Sequence, residues 1–484
     1  MFQLEKTLEN NCLKWKDKEH IFDKVNGVYR GITYGDFLTR TRSLASYLIS
    51  LGFKNKSVMI YGKNSSEYMM ADLAVLQYVG ISVCISKEWK EMQIMQAIEL
   101  LDISCVLYDE EKEEMIRNVA AACPSVMFVS FHKALENTME SEKILLEETD
   151  PDTCCKIVFS SGTTAAPKAV MLSKRNIFAG LDSLYRRCPF DENDVDFLVL
   201  PLSHTYAGIY NFLYSLVFGF SIYICSDISV IAQEILEANP TVFCGVPLIY
   251  KRLYEGYGSN LSKAFGSRIK YLFCGGVLME EALRLEYKNA GLDIMDAYAL
   301  TETASTFAIQ YPNDPDTKTA GTIAEEVDVK IIDRNADGVG EVVIKGENVF
   351  LGYAGNPELT QSVFTEDGYF KTGDLGYMKP DERHGGNKLY IVGRIKKILI
   401  GENGENIDPG HLERLICEKD PDIGKAQLFI KNGKLSCRVF YKGMTNSPMQ
   451  QKDWNAFFEA INKEVPAYER IREFDVVEDS RWKQ

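Results

Sequence analysis

The sequence has no cysteine pair of the Cys-x-x-Cys kind, although it contains twelve cysteines. This pattern favours neither a zinc site nor a disulfide framework, and we expect a protein of the reducing cytoplasm. No stretch is dense in lysine and arginine, and the net charge is -15, so repulsion from phosphate argues against a nucleic-acid partner. Residues 1–20 lack the apolar core of a signal peptide, so we do not expect secretion.

The sequence also lacks low-complexity tracts and internal repeats, and its 46% hydrophobic and 25% charged residues are typical of a globular protein. A chain of 484 residues predicts one large domain and a smaller one. Residues 206–225 form a charge-free apolar run long enough to be weighed as a membrane helix. Gly208, Asn211 and Gly219 interrupt it, so we predict a buried helix, a buried strand from residue 220, and no membrane span.

Helical and strand-like segments alternate through the first part of the chain. Helical spacing appears at 36–50 and 68–79, and buried-strand patterns at 57–61, 104–108, 125–131, 197–200, 242–245 and 271–273. This alternation predicts an α/β fold with doubly wound parallel sheets in a large N-terminal domain, residues 1–393.

The pattern changes after about residue 313. Short β-branched runs at 327–332 and 341–344 flank a turn-forming Asn-Ala-Asp-Gly and predict an antiparallel hairpin. We expect a small β-barrel subdomain at about 314–393 and a mobile α+β C-terminal domain at 394–484. That domain should contain helices at 409–417 and 450–465 and strands at 425–431 and 435–441.

The segment from Val158 to Lys168 is rich in hydroxyl groups and follows an apolar strand end. It lacks the Gly-Lys-Ser or Gly-Lys-Thr of the Walker phosphate loop. Its hydroxyls, its glycine amides and its lysine can nevertheless converge on one polyanion. The candidate phosphate ligands are Ser160, Ser161, Gly162, Thr163, Thr164 and Lys168. The alternative is a flexible surface loop, and Ser173 is the predicted N-cap of the next helix.

A second cluster of polar residues lies at 296–303. Tyr298 can stack on a purine and Asp296 can accept a hydrogen bond from an exocyclic amine. Thr301 can bond a phosphate, and Glu302 can hold Mg2+ through oxygen. The alternative for this stretch is a solvated helix start.

These segments resemble the AMP-forming adenylating enzymes, which include acyl-CoA synthetases, peptide-synthetase adenylation domains and luciferases. Residues 158–168 are similar to the family's Ser/Thr/Gly-rich signature, with Ala165 and Ala169 where glycine is usual. Residues 298–302 are similar to its Tyr-Gly-x-Thr-Glu motif, with Ala299 in place of glycine.

Three further motifs complete the resemblance, in the family's order. Residues 372–374 match the Thr-Gly-Asp segment, in which Asp374 would bind the ribose hydroxyls. Residues 393–397 resemble the hinge, in which Arg394 would contact the nucleotide and Lys396 would be the pivot. The turn at 275–278 would lie beside the adenine, with Gly276 and Val277 approaching it.

The resemblance implies an enzyme that uses ATP and Mg2+ to activate a carboxylic acid. The acid attacks the α-phosphate, pyrophosphate leaves, and the acyl-adenylate acylates a thiol. We expect the thiol to be CoA or the phosphopantetheine of an acyl carrier protein supplied in trans. Lys168, Thr301 and Glu302 would act in catalysis by neutralising and positioning the phosphates.

Two sequence segments indicate the chemical class of the acid substrate. Residues 200–208 resemble the segment that lines the acid site, with His204 at its gate; a buried structural histidine is the alternative. No acidic residue stands there to pair with an α-ammonium, which disfavours amino acids. Residues 401–409 are most similar to fatty acyl-CoA synthetases. We therefore expect an apolar acyl or aryl acid, with fatty acids first.

The C-terminus departs from the family's pattern. The adenylation lysine is expected about four residues beyond Gln484, if Trp482 to Gln484 occupy the usual Pro-Lys-Thr position. The chain is then either a trimmed version of a complete enzyme or a protein that binds nucleotide as a sensor or scaffold. A third possibility is a partner that accepts acyl-adenylate made elsewhere.

Overall fold

The computed structural model describes residues 4–136, 144, 146, 149–160, 167–188, 190–276, 279–304, 306–395, 399–400, 406–407, 409–420, 422–441 and 453–478. The chain divides into two compact units. The first comprises Met1–Lys87, Glu91–Phe159 and Ala169–Gly393. The second comprises Glu88–Lys90, Ser160–Lys168 and Arg394–Gln484.

Helices are spread along the whole described chain. The α-helices are α1 (Leu4–Lys14), α2 (Tyr34–Ser50), α3 (Ser66–Ala74), α4 (Glu91–Leu100), α5 (Glu113–Ala122), α6 (Phe131–Glu136), α7 (Lys174–Tyr185), α8 (Tyr214–Phe218), α9 (Ile231–Ala238), α10 (Pro247–Tyr257), α11 (Glu281–Asn289), α12 (Pro357–Ser362), α13 (Pro409–Lys419) and α14 (Trp454–Glu464). Wider π-helical turns continue α3 at Val75–Val79 and precede α8 at Tyr206–Leu213.

The strands follow the alternation that the sequence predicts. They are β1 (Glu19–Val25), β2 (Val28–Thr33), β3 (Ser57–Tyr61), β4 (Ile81–Ile85), β5 (Ile103–Tyr108), β6 (Met127–Ser130), β7 (Cys154–Ser160), β8 (Lys168–Ser173), β9 (Val195–Leu198), β10 (Ser221–Ile224), β11 (Val242–Gly245), β12 (Tyr271–Cys274), β13 (Ile294–Ala299), β14 (Thr306–Ile309), β15 (Gly321–Ile323), β16 (Asp328–Ile332), β17 (Gly340–Lys345), β18 (Gly352–Tyr353), β19 (Phe370–Pro380), β20 (Asn387–Arg394), β21 (Leu399–Ile400), β22 (Asn406–Ile407), β23 (Ile423–Lys431), β24 (Lys434–Tyr441) and β25 (Glu473–Glu478).

The largest sheet has the strand order β16-β17-β19-β20-β15-β14-β13-β12-β11-β9-β10-β1-β2. Its strands from β13 to β1 pair in parallel. The second sheet has the order β18-β8-β7-β4-β3-β5-β6, and its strands from β7 to β6 are parallel. Buried apolar side chains on these strands and their helices form one core. The predicted α/β class with parallel sheets is confirmed.

The strands between residues 314 and 393, apart from β18, continue the large sheet beyond β14. The predicted hairpin is confirmed, because β16 and β17 pair antiparallel with Val329 opposite Ile344. The strand order places β15, β16, β17, β19 and β20 in one row with the parallel strands, whereas β18 pairs with β8 in the second sheet. A separate barrel with a boundary near residue 314 stays a prediction.

Two local predictions can be compared directly with the structure. Ser173 is the N-cap of α7, and its hydroxyl and the Asn176 side chain form a reciprocal capping box. The pattern predicts a strand over 125–131, but β6 covers only Met127–Ser130, residues 125 and 126 lie in the preceding turn, and Phe131 begins α6. The aromatic ring of Phe131 is buried against Tyr68, so a tertiary contact outweighs its β propensity.

The apolar run at 206–225 divides at Gly219, as predicted. α8 ends at Phe218, and Gly219 adopts a left-handed conformation with φ 82°. A Cβ at this position would lie 2.5 Å from Cε2 of Trp15, so a side chain has no room. The chain then enters β10 at Ser221. Nowhere in the described part of the chain is there a helix long and apolar enough to cross a membrane.

The second unit has its own small core. Strands β23, β24 and β25 form a sheet in which β23 and β24 are antiparallel and β24 and β25 are parallel. Buried apolar residues of α13 and α14, including Leu412, Ile416, Phe458 and Ile461, belong to one cluster with those of the sheet. The helices and strands predicted for this region are confirmed, with α14 beginning at Trp454 rather than at 450.

Candidate functional site

Two predicted nucleotide residues that are far apart in sequence meet in the first unit. The hydroxyl of Tyr298 on β13 donates to Oδ2 of Asp374 on β19, at 2.5 Å. The Tyr298 ring packs edge-on against Phe307, with ring centroids 5.0 Å apart. Asp374 is 2% exposed. The structure thus joins an aromatic face and a carboxylate at one place.

The Thr-Gly-Asp segment is held by the neighbouring strand β17. The Thr372 hydroxyl donates to the carbonyl of Val342 at 2.7 Å and accepts from the amide of Asp374 at 3.0 Å. The amide of Gly373, whose φ is 73°, donates to Oε1 of Glu341 at 3.1 Å. These contacts fix the turn that carries Asp374. Sequence reasoning missed Glu341, because its partner is set only by the pairing of β17 and β19.

Thr301 and Glu302 lie in a short 3-10 turn that directly follows β13. Glu302 is 9% exposed, so the alternative of a solvated helix start is wrong. Its Oε1 accepts a hydrogen bond from the hydroxyl of Tyr353 at 2.9 Å. Burial and the Glu302 charge raise the pKa of Tyr353, which keeps the phenol protonated as a donor.

Residues 347–354, called here the linking segment, connect this turn to the strand and helix that follow the phosphate-loop sequence. The amide of Phe350 donates to the carbonyl of Glu302 at 2.9 Å. The amide of Leu351 donates to the carbonyl of Met171 on β8, at 3.0 Å. The Asn176 side chain donates to the carbonyls of Glu347 and Val349, each at 2.8 Å. No local sequence pattern indicated this segment, since its order depends on partners distant in sequence.

Glu302 suits Mg2+ by its chemistry. Mg2+ in nucleotide sites is held through one or two carboxylates together with the substrate phosphates, rather than by a cage of protein ligands. Within the described ranges, no group of three or more His, Cys, Asp or Glu residues could hold a metal. A single buried carboxylate with an oriented hydrogen-bond donor therefore fits a metal that arrives with the nucleotide.

Asp296 is already engaged by a protein cation. Its carboxylate pairs with Arg284, and the two side chains are 4% and 5% exposed. Burial raises the pKa of Asp296 to about 6, although the Arg284 charge opposes the rise. A carboxylate in this pair stabilises the packing of α11 on β13. Sequence reasoning did not foresee the pair, and a contact of Asp296 with an amine of the ligand stays a prediction.

The glycine turn after β12 is shaped by an aromatic ring. A Cβ at Gly275 would lie 2.5 Å from Cε1 of Tyr206, so the absent side chain makes room for that ring. Gly276 has φ 80°, which favours glycine. The close approach that sequence reasoning assigned to a ligand is thus made at Gly275 by the protein itself. Val277 lies outside the described residues.

His204 is open to solvent, which removes the alternative of a buried structural histidine. The surrounding protein nevertheless lowers its pKa by desolvation. This position is compatible with a gate, a role that stays a prediction.

Three of the predicted residues belong to the second unit. Ser160 ends β7, Lys168 begins β8 and Arg394 ends β20, and each is partly buried. The sequence did not predict β8, which separates Lys168 from the helix capped by Ser173. Ser161, Gly162, Thr163, Thr164 and Lys396 lie outside the described residues, as do residues 479–484.

A buried ion pair supports the strand that leads to this sequence. Nζ of Lys156 on β7 lies 2.6 Å from both carboxylate oxygens of Asp72 on α3, and the side chains are 0% and 1% exposed. Burial lowers the pKa of Lys156, but the charges of Asp72 and Cys84 and the hydrogen bonds to both side chains together outweigh it, and the net effect is a rise. Sequence reasoning missed this pair, because a lone lysine in a strand carries no signal of burial.

Comparison with known proteins gives a consistent result. Residues 8–354 match the family model described as AMP-binding enzyme. The long-chain-fatty-acid–CoA ligase heimdall of Drosophila melanogaster is 24% identical over 87% of this chain and 73% of its own length. The malonate–CoA ligase of Arabidopsis thaliana is 26% identical over 75% of this chain and 64% of its own length.

The fold is also that of solved structures. A double mutant of o-succinylbenzoate CoA synthetase from Bacillus subtilis superimposes with a TM-score of 0.82 at 19% identity. The match covers 98% of this chain and 94% of the other. At this identity the likeness establishes the α/β fold with a large sheet-rich part and a small C-terminal part.

Proposed function

This chain belongs to the AMP-binding enzyme family, and from that premise we propose that it activates an apolar carboxylic acid with ATP and transfers the acyl group to CoA. The observation that carries the proposal is the hydrogen bond between Tyr298 and Asp374, two motif residues 76 positions apart. It brings an aromatic face and a buried carboxylate together, which suits a purine nucleoside. The relatives named above are CoA ligases, and none of them supports a sensor or scaffold.

In the proposed site the nucleotide is bound by side chains of the first unit. Tyr298 stacks on the purine, Asp374 accepts hydrogen bonds from the ribose hydroxyls, and Thr301 donates to a phosphate. Glu302 holds Mg2+, which supplies charge neutralisation when bound. Asp296, Gly276 and Val277 line the adenine side, and His204 stands at the entrance for the acid.

Residues of the Ser/Thr/Gly-rich signature and of the hinge have proposed roles of their own. Lys168, Ser160, Ser161, Thr163, Thr164 and the amides at Gly162 bind the phosphates, and Arg394 contacts the nucleotide. These groups neutralise charge on the phosphates and orient them, so no nucleophilic side chain is needed. We also propose that Gly393 and Arg394 mark the domain boundary and that Lys396 is the pivot between the two steps.

The acid and the acceptor are proposed from the sequence. The resemblance at 401–409 favours fatty acids, and heimdall is named for long-chain fatty acids. The relatives' names support CoA as the acceptor, with carrier-bound phosphopantetheine as the alternative. We propose a cytoplasmic enzyme, because all twelve cysteines are free thiols in the structure.

The experiment that tests this function measures pyrophosphate release from ATP and Mg2+ with fatty, aryl and amino acids. A second arm supplies chemically prepared acyl-adenylate and CoA and measures thioester formation, so that the two half-reactions are measured separately. We expect fatty acids to be preferred, with the Asp374→Ala variant impaired in the first arm. Failure of both half-reactions, in a protein that binds no ATP, would contradict the proposal.

A further inference from the structure

A buried polar cluster lies between the helix that follows His204 and the parallel sheet. It consists of Asp196 on β9 and of Tyr206 and Asn211 in the π-helical turns, and we call it the polar cluster. Nδ2 of Asn211 donates to Oδ2 of Asp196 at 2.6 Å. Asp196 is 1% exposed and Asn211 is 2% exposed. A carboxylate and an amide thus face each other inside the core.

Three polar atoms of this cluster are unsatisfied. Within the described part of the chain, Oδ1 of Asp196, Oδ1 of Asn211 and the hydroxyl of Tyr206 have no hydrogen-bond partner. The Cys244 thiol makes weak polar contacts with Asn211 and Tyr206, and the Phe197 amide makes one with Asp196, but none of these has the geometry of a full hydrogen bond. Buried polar atoms are nearly always satisfied, so three of them at one place indicate that another molecule supplies the bonds.

The chemistry of the three atoms specifies their complement. The Asn211 amide donates to Asp196, so its own oxygen is left as an acceptor. Burial raises the pKa of Asp196 to about 7, against the effect of the Asn211 hydrogen bond. Near neutral pH the carboxyl is therefore present both with and without its proton. In the ionised form, which a bound donor favours, the free oxygen is a second acceptor, and the Tyr206 hydroxyl can serve as a third. The ammonium group of a ligand could donate to all three atoms. A ligand hydroxyl could donate to one of the oxygens and accept from the Tyr206 hydroxyl.

The polar cluster lies close along the chain to His204, the residue proposed for the entrance of the acid. Asn211 follows His204 by seven residues, which is roughly 10 Å along a helix at 1.5 Å per residue. The ring of Tyr206 lies against Gly275, at the turn predicted to approach the adenine. Asp196 pairs in register with Val242, in the middle of the parallel sheet. π-helical turns occur frequently at functional sites, and this one carries both Tyr206 and Asn211.

We infer that the polar cluster binds a hydrogen-bond-donating group, a hydroxyl or an amine, at the end of the acid substrate far from its carboxylate. This inference rests on the proposed function and refines its substrate class. A plain hydrocarbon tail would leave the three atoms dry and unbonded, which is unfavourable. A donor-bearing tail satisfies them, and sites of this kind discriminate strongly against analogues that lack the donor.

The test compares kcat/KM for three acids of equal length: an unsubstituted fatty acid, its terminal hydroxy acid and its terminal amino acid. The lengths run from hexanoate to dodecanoate, and pyrophosphate release is the readout. We expect the hydroxy or the amino acid to exceed the unsubstituted acid by at least about tenfold at one length. Which of the two is preferred identifies the donor.

The matched variant is Asp196→Leu combined with Asn211→Leu. Replacing both hydrogen-bonded partners by apolar side chains of similar shape leaves no unpaired group, so the variant should fold, as a thermal melt will verify. In this variant we expect the preference for the donor-bearing acid to disappear.

Equal or better turnover of the unsubstituted acid by the wild type at every length would overturn the inference, and so would a preference that survives in the double variant. Either result would leave the proposed ligase standing. Absence of pyrophosphate release with every acid, together with no thioester formation from prepared acyl-adenylate and no ATP binding, would instead count against the ligase.

Discussion

Replacing Tyr353 by phenylalanine removes one atom, the hydroxyl that donates to Oε1 of Glu302 at 2.9 Å. Tyr353 is 4% exposed and Glu302 is 9% exposed, so little water can replace the lost bond. The backbone of Glu302 remains held by Phe350. The change should therefore act on the orientation of the carboxylate and leave the fold of the turn intact.

The size of the effect follows from the kind of bond. A hydrogen bond to a charged group contributes about 1.5–3 kcal/mol, which corresponds to roughly ten- to a hundredfold in an equilibrium constant. Loss of a partner that orients a metal ligand has an effect of similar size, about 10–100-fold in metal affinity. If Glu302 holds Mg2+, the Mg2+ concentration for half-maximal activity should rise by that factor in Tyr353→Phe.

The assay titrates Mg2+ at saturating ATP and acid and follows pyrophosphate release. Tyr369→Phe is the matched control, because the Tyr369 hydroxyl also donates to a carboxylate, that of Asp328, and Tyr369 is 6% exposed. The control should leave the Mg2+ dependence unchanged. An unchanged half-maximal Mg2+ concentration in Tyr353→Phe, or an equal shift in the control, would refute the reasoning.

Three further predictions concern other residues. Asp374→Ala should weaken ATP binding by about 2–4 kcal/mol, measured by calorimetry, and unchanged affinity would contradict its role at the ribose. Lys156→Met should lower the free energy of unfolding by about 3–5 kcal/mol in guanidinium denaturation, because the Asp72 carboxylate is left buried without its ion-pair partner. The double variant Lys156→Met, Asp72→Leu should have a stability closer to that of the wild type. A double variant as unstable as the single one would argue against a stabilising pair. Burial raises the folded-state pKa of Asp196 from 3.8 to about 7, so the native state keeps a proton that the unfolded state has lost, and the free energy of unfolding should fall as pH rises through this window. The uncharged Asp196→Asn variant should lack this fall in stability, and by pH 7 its free energy of unfolding should exceed that of the wild type by up to about 4 kcal/mol. If the stabilities of the two proteins change with pH in parallel, the Asp196 carboxyl is not the source of the fall.

Much of the local structure was predictable, because it depends on neighbours in sequence. The hydroxyl of Ser173 and the side chain of Asn176 identify the start of α7 by their spacing alone. Gly219 marks the end of α8, since its left-handed conformation with φ 82° favours glycine. The strand at 57–61 follows from its apolar run. The family motifs were identified in the same way, as short stretches of fixed residue types.

Some predictions failed or missed residues where a partner distant in sequence decides. Phe131 begins a helix because it packs on Tyr68. Glu341 and Tyr353 were not singled out, since each acquires its role only when strand pairing brings it to Gly373 or Glu302. The polar cluster was likewise invisible, because Asp196 looked like an ordinary polar residue at the start of a strand.

The sequence by itself determined the alternation of helices and strands, the caps and the motif residues, because these depend on side-chain types a few positions apart. Only the tertiary structure decided that Tyr298 meets Asp374 and that Tyr353 orients Glu302. It also decided that Asp296 is paired with Arg284. Such contacts join residues on different strands and helices. Because they are buried, a single hydrogen bond or charge contributes strongly to the free energy, and no local sequence pattern predicts which residues will meet.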